Sequence, residues 1–254
     1  MGKRIFVEAD YGQIEARVIA MASRDRVFTK ALWDRYDVHM DWAERIAYAY
    51  PDRVGGKKNL TDKKVMKTFR GDVKNQWVFP LFFGATLYKV SNELGIPDEY
   101  LKDLYEEFWR TFEGVKSYQE RMQREYKKNG YVECLTGRRR RAPLSYNQLI
   151  NSPIQGTASD IVVDGMNRLS EMEVWDYQAN LNIHDSLTFI LDEDELEEHT
   201  EVIVKEMLGC KFPFINVPLT VEVSIGTENW QVMEEMGTFS SDEWLNFPAR
   251  PDYV

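Results

Sequence analysis

The 254-residue chain is poor in cysteine, with only Cys134 and Cys210, and it contains no long hydrophobic run. Two thiols so far apart do not form a metal-binding motif, and they favour a reducing compartment over a disulfide-stabilised fold. The longest apolar stretch, residues 77–87, contains Pro80 and is too short to cross a bilayer. No signal peptide precedes the first strand pattern. These absences predict a cytoplasmic protein with no membrane partner.

The chain is also short of positive charge, with 32 Lys and Arg against 42 Asp and Glu and a net charge of −10. Nucleic-acid binding usually draws on Lys and Arg that neutralise phosphates, so the total argues against it. The charges are unevenly distributed, however. Acids concentrate in residues 192–201 and in the C-terminal tail, whereas bases concentrate in residues 57–74 and 138–141. The acidic total therefore weakens a nucleic-acid interpretation without excluding it, because the distribution of charge matters more than the sum.

The hydrophobic pattern predicts few strands and many helices. A short buried strand at residues 4–9 ends at Asp10, residues 179–191 form a hairpin, and residues 219–225 form a final strand. Helices are predicted at residues 13–22, 37–50, 61–77, 97–130, 152–173 and 192–207. With 43% hydrophobic residues, the chain can form one globular domain with subdomains. The alternation predicts the α+β class, with an antiparallel sheet backed by helices.

Two aspartates stand where a metal site is expected. Asp10 ends the first strand, in Val-Glu-Ala-Asp-Tyr-Gly-Gln-Ile-Glu-Ala-Arg. Asp185 follows His184 at the tip of the predicted hairpin, in Asn-Ile-His-Asp-Ser-Leu-Thr. Magnesium accepts one or two carboxylates together with water and substrate oxygens. A single aspartate at a strand end is more often a cap or turn residue, so the prediction depends on the two motifs together.

Four basic residues mark one helix. Lys63, Lys67, Arg70 and Lys74 follow a spacing of four, three and four residues, which places them on one helical face. Such a stripe is usually a solvated surface, and alone it predicts no ligand.

In this order the motifs resemble the polymerase-domain signatures of family A DNA polymerases, the class of bacterial DNA polymerase I and many phage replicases. The resemblance covers residues 4–230. It includes residues 131–139, similar to the hairpin "GYVETLxGRRR", and residues 151–161, similar to "NxPxQGTAxDI". It implies a discontinuous palm subdomain at residues 1–35 and 146–254. A mostly helical fingers subdomain is implied at residues 36–145.

The resemblance implies a DNA-directed DNA polymerase that adds deoxynucleotides to a primer 3′-hydroxyl. The implied cofactor is a pair of Mg²⁺ ions, for which Mn²⁺ can substitute. Asp10, Asp185 and the backbone carbonyl of Tyr11 are the implied ligands. Two positions depart from the family pattern: Ser186 stands where a glutamate usually follows the second aspartate, and Gly12 stands where serine is common.

The resemblance also implies a deoxynucleoside triphosphate site. Arg70 and Lys74 would grip the triphosphate, and Lys74 could protonate the pyrophosphate leaving group. Glu15 would close the space under the sugar 2′ position and reject ribonucleotides. The implied nucleotide-binding set is completed by Tyr11, Gln13, Phe79 and Phe83.

The aromatic residues after Lys74 come one position later than in the family pattern. We interpret this as a one-residue insertion, and Pro80 supports a local irregularity in the helix. On this interpretation Phe79 packs on the nucleotide sugar and Phe83 stacks near the templating base.

Primer-template DNA is the second implied ligand. His184 would contact the primer terminus. Asn151 and Gln155 would contact the minor groove, where all base pairs present the same hydrogen-bond acceptors. Arg138, Arg139 and Arg140 would contact phosphates. The alternatives are a core histidine at 184, a helix-capping box formed by Ser152, Pro153 and Gln155, and a solvated charge run.

Only nine residues precede Asp10, whereas the family has a thumb and further palm strands upstream of this aspartate. We therefore expect thumb and exonuclease to be absent. The chain is either a segment of a larger protein or, as we favour, half of a split phage polymerase in a bacterial cytoplasm, with a second chain carrying both. Missing palm strands predict an exposed sheet edge and apolar surface.

Two alternatives stay open. The chain is a polymerase half, or it is a catalytically weak DNA-binding or assembly subunit of a replication complex, an interpretation that Ser186 favours. The acidic and aromatic tail, residues 233–254, either packs across the palm or docks a partner.

Overall fold

The computed structural model describes residues 3–252. The strands are β1 (Arg4–Tyr11), β2 (Tyr131–Glu133), β3 (Arg139–Arg141), β4 (Leu181–Ile183), β5 (Ser186–Asp192), β6 (Thr220–Gly226) and β7 (Glu234–Ser240). The α-helices are α1 (Ile14–Ser23), α2 (Arg26–Trp33), α3 (Val38–Ala49), α4 (Lys63–Val73), α5 (Phe79–Phe82), α6 (Leu87–Leu94), α7 (Asp98–Thr111), α8 (Glu113–Asn129), α9 (Tyr146–Glu171), α10 (Leu196–Leu208) and α11 (Ser241–Trp244). A π-helical turn, Lys74–Val78, connects α4 to α5.

The described residues divide into two compact units. The sheet unit comprises residues 3–21, 133–138 and 153–252, and the helical unit comprises residues 22–132 and 139–152. The predicted palm and fingers boundaries stay a prediction.

The sheet unit is built on an antiparallel sheet of five strands in the order β4-β5-β1-β6-β7. In the central strand β1, side chains alternate between the two faces, and Ile5, Val7 and Ala9 are buried on one of them. Helix α10 packs against β1, β5 and β6 and buries Ile203 and Val204. The predicted α+β class, an antiparallel sheet backed by helices, is confirmed. The other face of β1 carries Glu8 and Asp10.

The tail adds a strand to this sheet. Strand β7 pairs antiparallel with β6, with Thr220 opposite Ser240, so the prediction that residues 219–225 form the last strand is wrong. After β7, Ser241 donates its backbone N–H to the Leu219 carbonyl and accepts the Leu219 N–H on its hydroxyl, both at 2.9 Å. The ring of Phe239 meets that of Trp244 edge-on at 4.7 Å. Residues 234–244 therefore pack on the sheet unit.

The helical unit has an aromatic core. Ring centroids about 5 to 6 Å apart connect its members, which are Phe28, Trp42, Trp77, Phe82, Phe108 and Phe112. Buried Asp25 caps α2 through the Phe28 N–H at 2.8 Å. Its second oxygen accepts the N–H of Gly114 at 2.8 Å, at the start of α8. One carboxylate thus satisfies two helix N-termini.

The helix that carries the four basic residues, hereafter the basic helix, comprises α4 and the π turn that follows it, and it contains one residue more than regular α-helical winding would. Asp62, rather than Thr61, caps α4 by accepting the N–H groups of Lys64 and Val65. The π turn at Lys74–Val78 then takes up one residue more than an α-helical turn. This is the form that a one-residue insertion takes inside a helix, so the π turn supports the interpretation of the aromatic spacing, while the insertion relative to the family stays a prediction.

Helix α9 begins at Tyr146 and contains Pro153 in its interior. The prediction of a start at Ser152 is therefore wrong, and so is the capping-box alternative. The Ser152 hydroxyl donates to the Gln148 carbonyl at 2.6 Å within the helix. Gln155 lies on the exposed surface of α9.

Among residues 3–252 no helix combines the length and the apolar character needed to cross a bilayer.

Candidate active site

Strand register brings Asp10 and Asp185 to neighbouring strand ends. Asp10 lies opposite Ser186 in the β1–β5 pair, and the Tyr11 N–H donates to the Asp185 carbonyl at 3.2 Å. His184 and Asp185 form the turn between β4 and β5, and His184 has a left-handed φ of 55°. A tight turn therefore presents the second aspartate beside the end of the first strand.

Asp10 is partly buried and lies near other negatively charged side chains. Burial raises its pKa to about 7, with further contributions from Asp185, Glu222 and Glu8. Its Oδ1 is buried and has no hydrogen-bond donor among the described residues. A carboxylate oxygen without a donor, beside other carboxylates, is suited to a cation. These residues fit a metal ion.

Glu15, in the first turn of α1, belongs to the same group. Burial raises its pKa, Asp185 raises it further, and His184 opposes the shift. Three predicted residues, Glu15, Asp185 and His184, are thus close enough to interact electrostatically. Gln13, just before α1, is exposed and has a left-handed φ of 53°.

The Tyr11 side chain points away from these acids into the core. It is fully buried and donates its hydroxyl to the Met207 carbonyl at 2.6 Å. Burial raises its pKa. A role for Tyr11 in holding a metal or nucleotide is therefore confined to its backbone, and that role stays a prediction.

The acids near Asp10 are not tightly clustered. In the part of the chain that the structure describes, Asp176, Glu195 and His199 are the group with three ligand atoms within 4.8 Å of one another. That group does not include Asp10 or Asp185. An ion between these two would need water and substrate oxygens for its remaining positions, as magnesium commonly does.

In the helical unit, the predicted triphosphate-binding cations lie beside an aromatic ring. Arg70 Nε donates to Asp37 Oδ2 at 2.6 Å. Lys74 Nζ lies 5.5 Å from the centre of the Phe79 ring, within cation–π range. Asp37 also caps α3, so the helix cap restrains Arg70.

His39, which no sequence motif indicated, completes this group. Its ring meets that of Phe79 edge-on at 5.1 Å. Burial, with the nearby cations Arg70 and Lys74, lowers its pKa to about 4. A histidine two residues after the N-cap Asp37, on the buried side of α3, was the available signal.

A cavity of about 310 Å³ adjoins Phe79. Phe79 and Phe83 line it with their rings 6.0 Å apart, and Asn75 and Asn151 contribute polar groups. The Oδ1 of Asn151 is buried and lacks a donor among the described residues. The structure therefore joins three predicted residues, Phe79, Phe83 and Asn151, around one cavity. It does not place Gln155 at that cavity.

The predicted DNA-binding arginines already have protein partners. Arg138 pairs with Asp160 at 3.0 Å and donates to the Gly156 carbonyl at 2.7 Å. Arg140 donates to Ser152 Oγ at 2.8 Å, and Arg139 lies 4.6 Å from the centre of the Tyr131 ring. All three are exposed, so these contacts leave part of each guanidinium accessible. Their role on DNA stays a prediction.

Comparison with known proteins identifies similar sequences. The model of the family described as DNA polymerase family A matches residues 1–232, and β7 lies beyond this match. The thermostable DNA polymerase I of Thermus filiformis is 30% identical over 88% of this chain and 27% of its own length. The DNA polymerase I of Chloroflexus aurantiacus is 29% identical over 91% of this chain and 24% of its own length. The chain thus spans about a quarter of the curated relatives it matches.

A similar solved structure is the POL domain of Pol1 from M. smegmatis in complex with DNA primer-template and dNTP. It has a TM-score of 0.71 and 26% identity, over 89% of this chain and 40% of that chain.

Proposed function

Because the chain belongs to DNA polymerase family A, we propose that it forms the palm and fingers portion of a DNA-templated DNA polymerase. It adds deoxynucleotides to a primer 3′-hydroxyl. The observation that carries the proposal is the register that sets Asp10 beside Asp185, with a buried Asp10 oxygen lacking a donor. The similarity to a Pol1 domain solved with primer-template and dNTP supports DNA and nucleotide as ligands.

Asp10, Asp185 and the Tyr11 carbonyl would hold two Mg²⁺ ions, or Mn²⁺ in their place. Such ions, when bound, activate the primer hydroxyl and neutralise charge on the triphosphate. The protein keeps one Asp10 oxygen free of donors and surrounds it with acids. Glu15, half-buried beside Asp185, limits the space below the sugar and so selects deoxynucleotides.

The triphosphate binds in the helical unit. Arg70 exchanges Asp37 for phosphate oxygens, and His39, near the cations Arg70 and Lys74, stays neutral. Lys74 neutralises charge on the pyrophosphate leaving group and gives it a proton. Phe79 packs on the sugar and Phe83 lies near the templating base. Gln13 completes the nucleotide contacts.

Primer-template DNA is held by polar and cationic groups. His184 contacts the primer terminus, and Asn151 and Gln155 donate to minor-groove acceptors. Arg138 and Arg140 contact phosphates, together with Arg139.

A second chain supplies the thumb and exonuclease. An exposed apolar edge of the sheet unit supports this part of the proposal. Trp175 is 77% exposed, and Leu181 and Ile183 in the edge strand β4 are also exposed. An edge strand with apolar side chains tends to be covered by another chain. Phage origin stays a prediction.

Primer extension tests the catalytic proposal. The full chain is assayed with Mg²⁺, alone and with any upstream chain that is encoded beside it, and we expect weak extension alone and strong extension in the mixture. Asp185→Asn should lower extension at least about 100-fold because charge stabilisation by metal is lost. Asp176→Asn, the same change in the other acidic group, is the control and should have little effect.

Two outcomes would separate the alternatives. Primer-template binding without extension in either mixture favours the DNA-binding or assembly subunit, the interpretation that Ser186 supports. Processive extension by the chain alone contradicts only the requirement for a second chain.

A further inference from the structure

Glu222 stands directly opposite Asp10 in the β1–β6 pair. Residues directly opposite one another on antiparallel strands have side chains on the same face, about 5 Å apart at Cβ. On its other side, Asp10 lies opposite Ser186. Asp10 is therefore flanked by a hydroxyl on one neighbouring strand and by a carboxylate on the other.

Gly12 leaves room for this carboxylate. A Cβ at position 12 would lie 3.0 Å from Glu222 Oε1 and would collide with Thr220 Oγ1. Thr220 cannot readily turn aside, because its hydroxyl accepts from Arg17 at 2.8 Å and donates to the Gly12 carbonyl at 3.2 Å. A side chain at position 12 would therefore push against Glu222.

The two glutamates nearest Asp10 on this face, half-buried Glu8 and exposed Glu222, differ in their partners. Glu8 accepts a hydrogen bond from Trp230 Nε1 at 2.7 Å. No donor or cation within residues 3–252 pairs with the Glu222 carboxylate, which is exposed. Glu222 therefore has free acceptor capacity at the strand end.

We infer that Glu222 supplies the third carboxylate that position 186 lacks, by accepting hydrogen bonds from water on the cation held by Asp10 and Asp185. The inference rests on the proposed function. Glu222 acts through water because, in the part of the chain that the structure describes, Asp10, Asp185 and Glu222 do not bring three ligand atoms within 4.8 Å of one another. Magnesium and manganese keep several waters, and carboxylates that orient such ligands commonly change metal affinity 10- to 100-fold. Glu222 is thus a positioning residue.

Manganese binding by the full chain, followed by electron paramagnetic resonance, tests this role without activity. All variants carry His199→Asn, so that the group of Asp176, Glu195 and His199 does not contribute. Glu222→Gln should weaken Mn²⁺ binding about tenfold. Glu8→Gln, which removes the same charge from the same face, is the matched control and should change affinity less than about twofold.

Two further variants test the geometry. Gly12→Ser should weaken Mn²⁺ binding as Glu222→Gln does, because it displaces the carboxylate. Ser186→Glu added to Glu222→Gln should restore binding, since it returns an acid to the other side of Asp10. Thermal unfolding checks that each variant is folded. If Gly12→Ser does not fold, Glu222→Gln and its rescue by Ser186→Glu still decide the question.

The failures are distinguishable. If Glu222→Gln binds Mn²⁺ as tightly as its parent while Asp10→Asn abolishes binding, the role of Glu222 is overturned and the proposed metal site stands. If Asp10→Asn also leaves binding unchanged, the metal site itself is overturned and the role of Glu222 with it.

Discussion

The sheet unit and the helical unit treat charge in opposite ways. At the end of β1, acids face one another and Asp10 keeps a buried oxygen without a donor. On the basic helix, the arginine has its own counter-ion, since Arg70 donates to Asp37. The first arrangement attracts a cation at once. The second must exchange an internal partner for an external anion. The acids at the end of β1 therefore destabilise the sheet unit until a cation binds. The pair of Arg70 and Asp37 stabilises the helical unit until an anion displaces Asp37.

The largest expected effect concerns His39, whose neutrality keeps the basic group from becoming more positive. Its pKa is about 4, lowered first by burial and then by Arg70 and Lys74. Between pH 6.5 and 4 the unfolded chain binds a proton that the folded chain does not, so stability falls as pH falls. The loss attributable to His39 is about 3 kcal/mol.

Urea unfolding at pH 7 and pH 4.5 measures this loss in the native chain and in His39→Gln. We expect the variant to lose less stability over that range. Acids with raised pKa values, such as Asp25, shift stability the other way, but they contribute equally to both proteins. An equal loss in both proteins would contradict the assignment.

The second largest effect concerns Asp10, whose contribution to stability falls as pH rises, opposite to that of His39. Because its pKa is about 7 in the folded chain, its ionised form destabilises the metal-free protein above that pH. Asp10→Asn should therefore raise the free energy of unfolding at pH 8, by about 2 kcal/mol after allowing for screening by water. Asp160→Asn is the control, because Asp160 is paired with Arg138 and its neutralisation should destabilise. A less stable Asp10→Asn would contradict the comparison.

The smallest expected effect is that of replacing Asp37 on triphosphate binding. Asp37→Asn should free Arg70 and tighten triphosphate binding about two- to fivefold, as expected from losing an exposed ion pair. Titration with a fluorescent deoxynucleotide measures it. The matched control is Asp41→Asn, one turn later on α3, which breaks the pair with Arg45 instead. Weaker binding by Asp37→Asn would show that the pair positions Arg70 rather than competes for it.

The sequence predicts local features better than pairings between strands. The spacing of the basic helix and the extra residue after Lys74 could be predicted because both are set within one helix. Pro153 misled the prediction of α9, since proline favours a first turn but here lies inside a helix. Strand β7 was missed because its acidic sequence lacks alternation. The position of Glu222 opposite Asp10 depends on register, which no local pattern specifies.

Because the turn at Lys74–Val78 is wider than its neighbours, it absorbs one residue with little change in the angle between the stretches that it joins. In an uninterrupted α-helix, an added residue would rotate everything beyond it by about 100°. Removing a single residue from the wide turn would therefore restore ordinary winding and leave Arg70 at nearly the same angle to Phe79 and Phe83. A change in length of one residue is tolerated at this turn, whereas in an ordinary helical turn it would separate phosphate binding from base recognition.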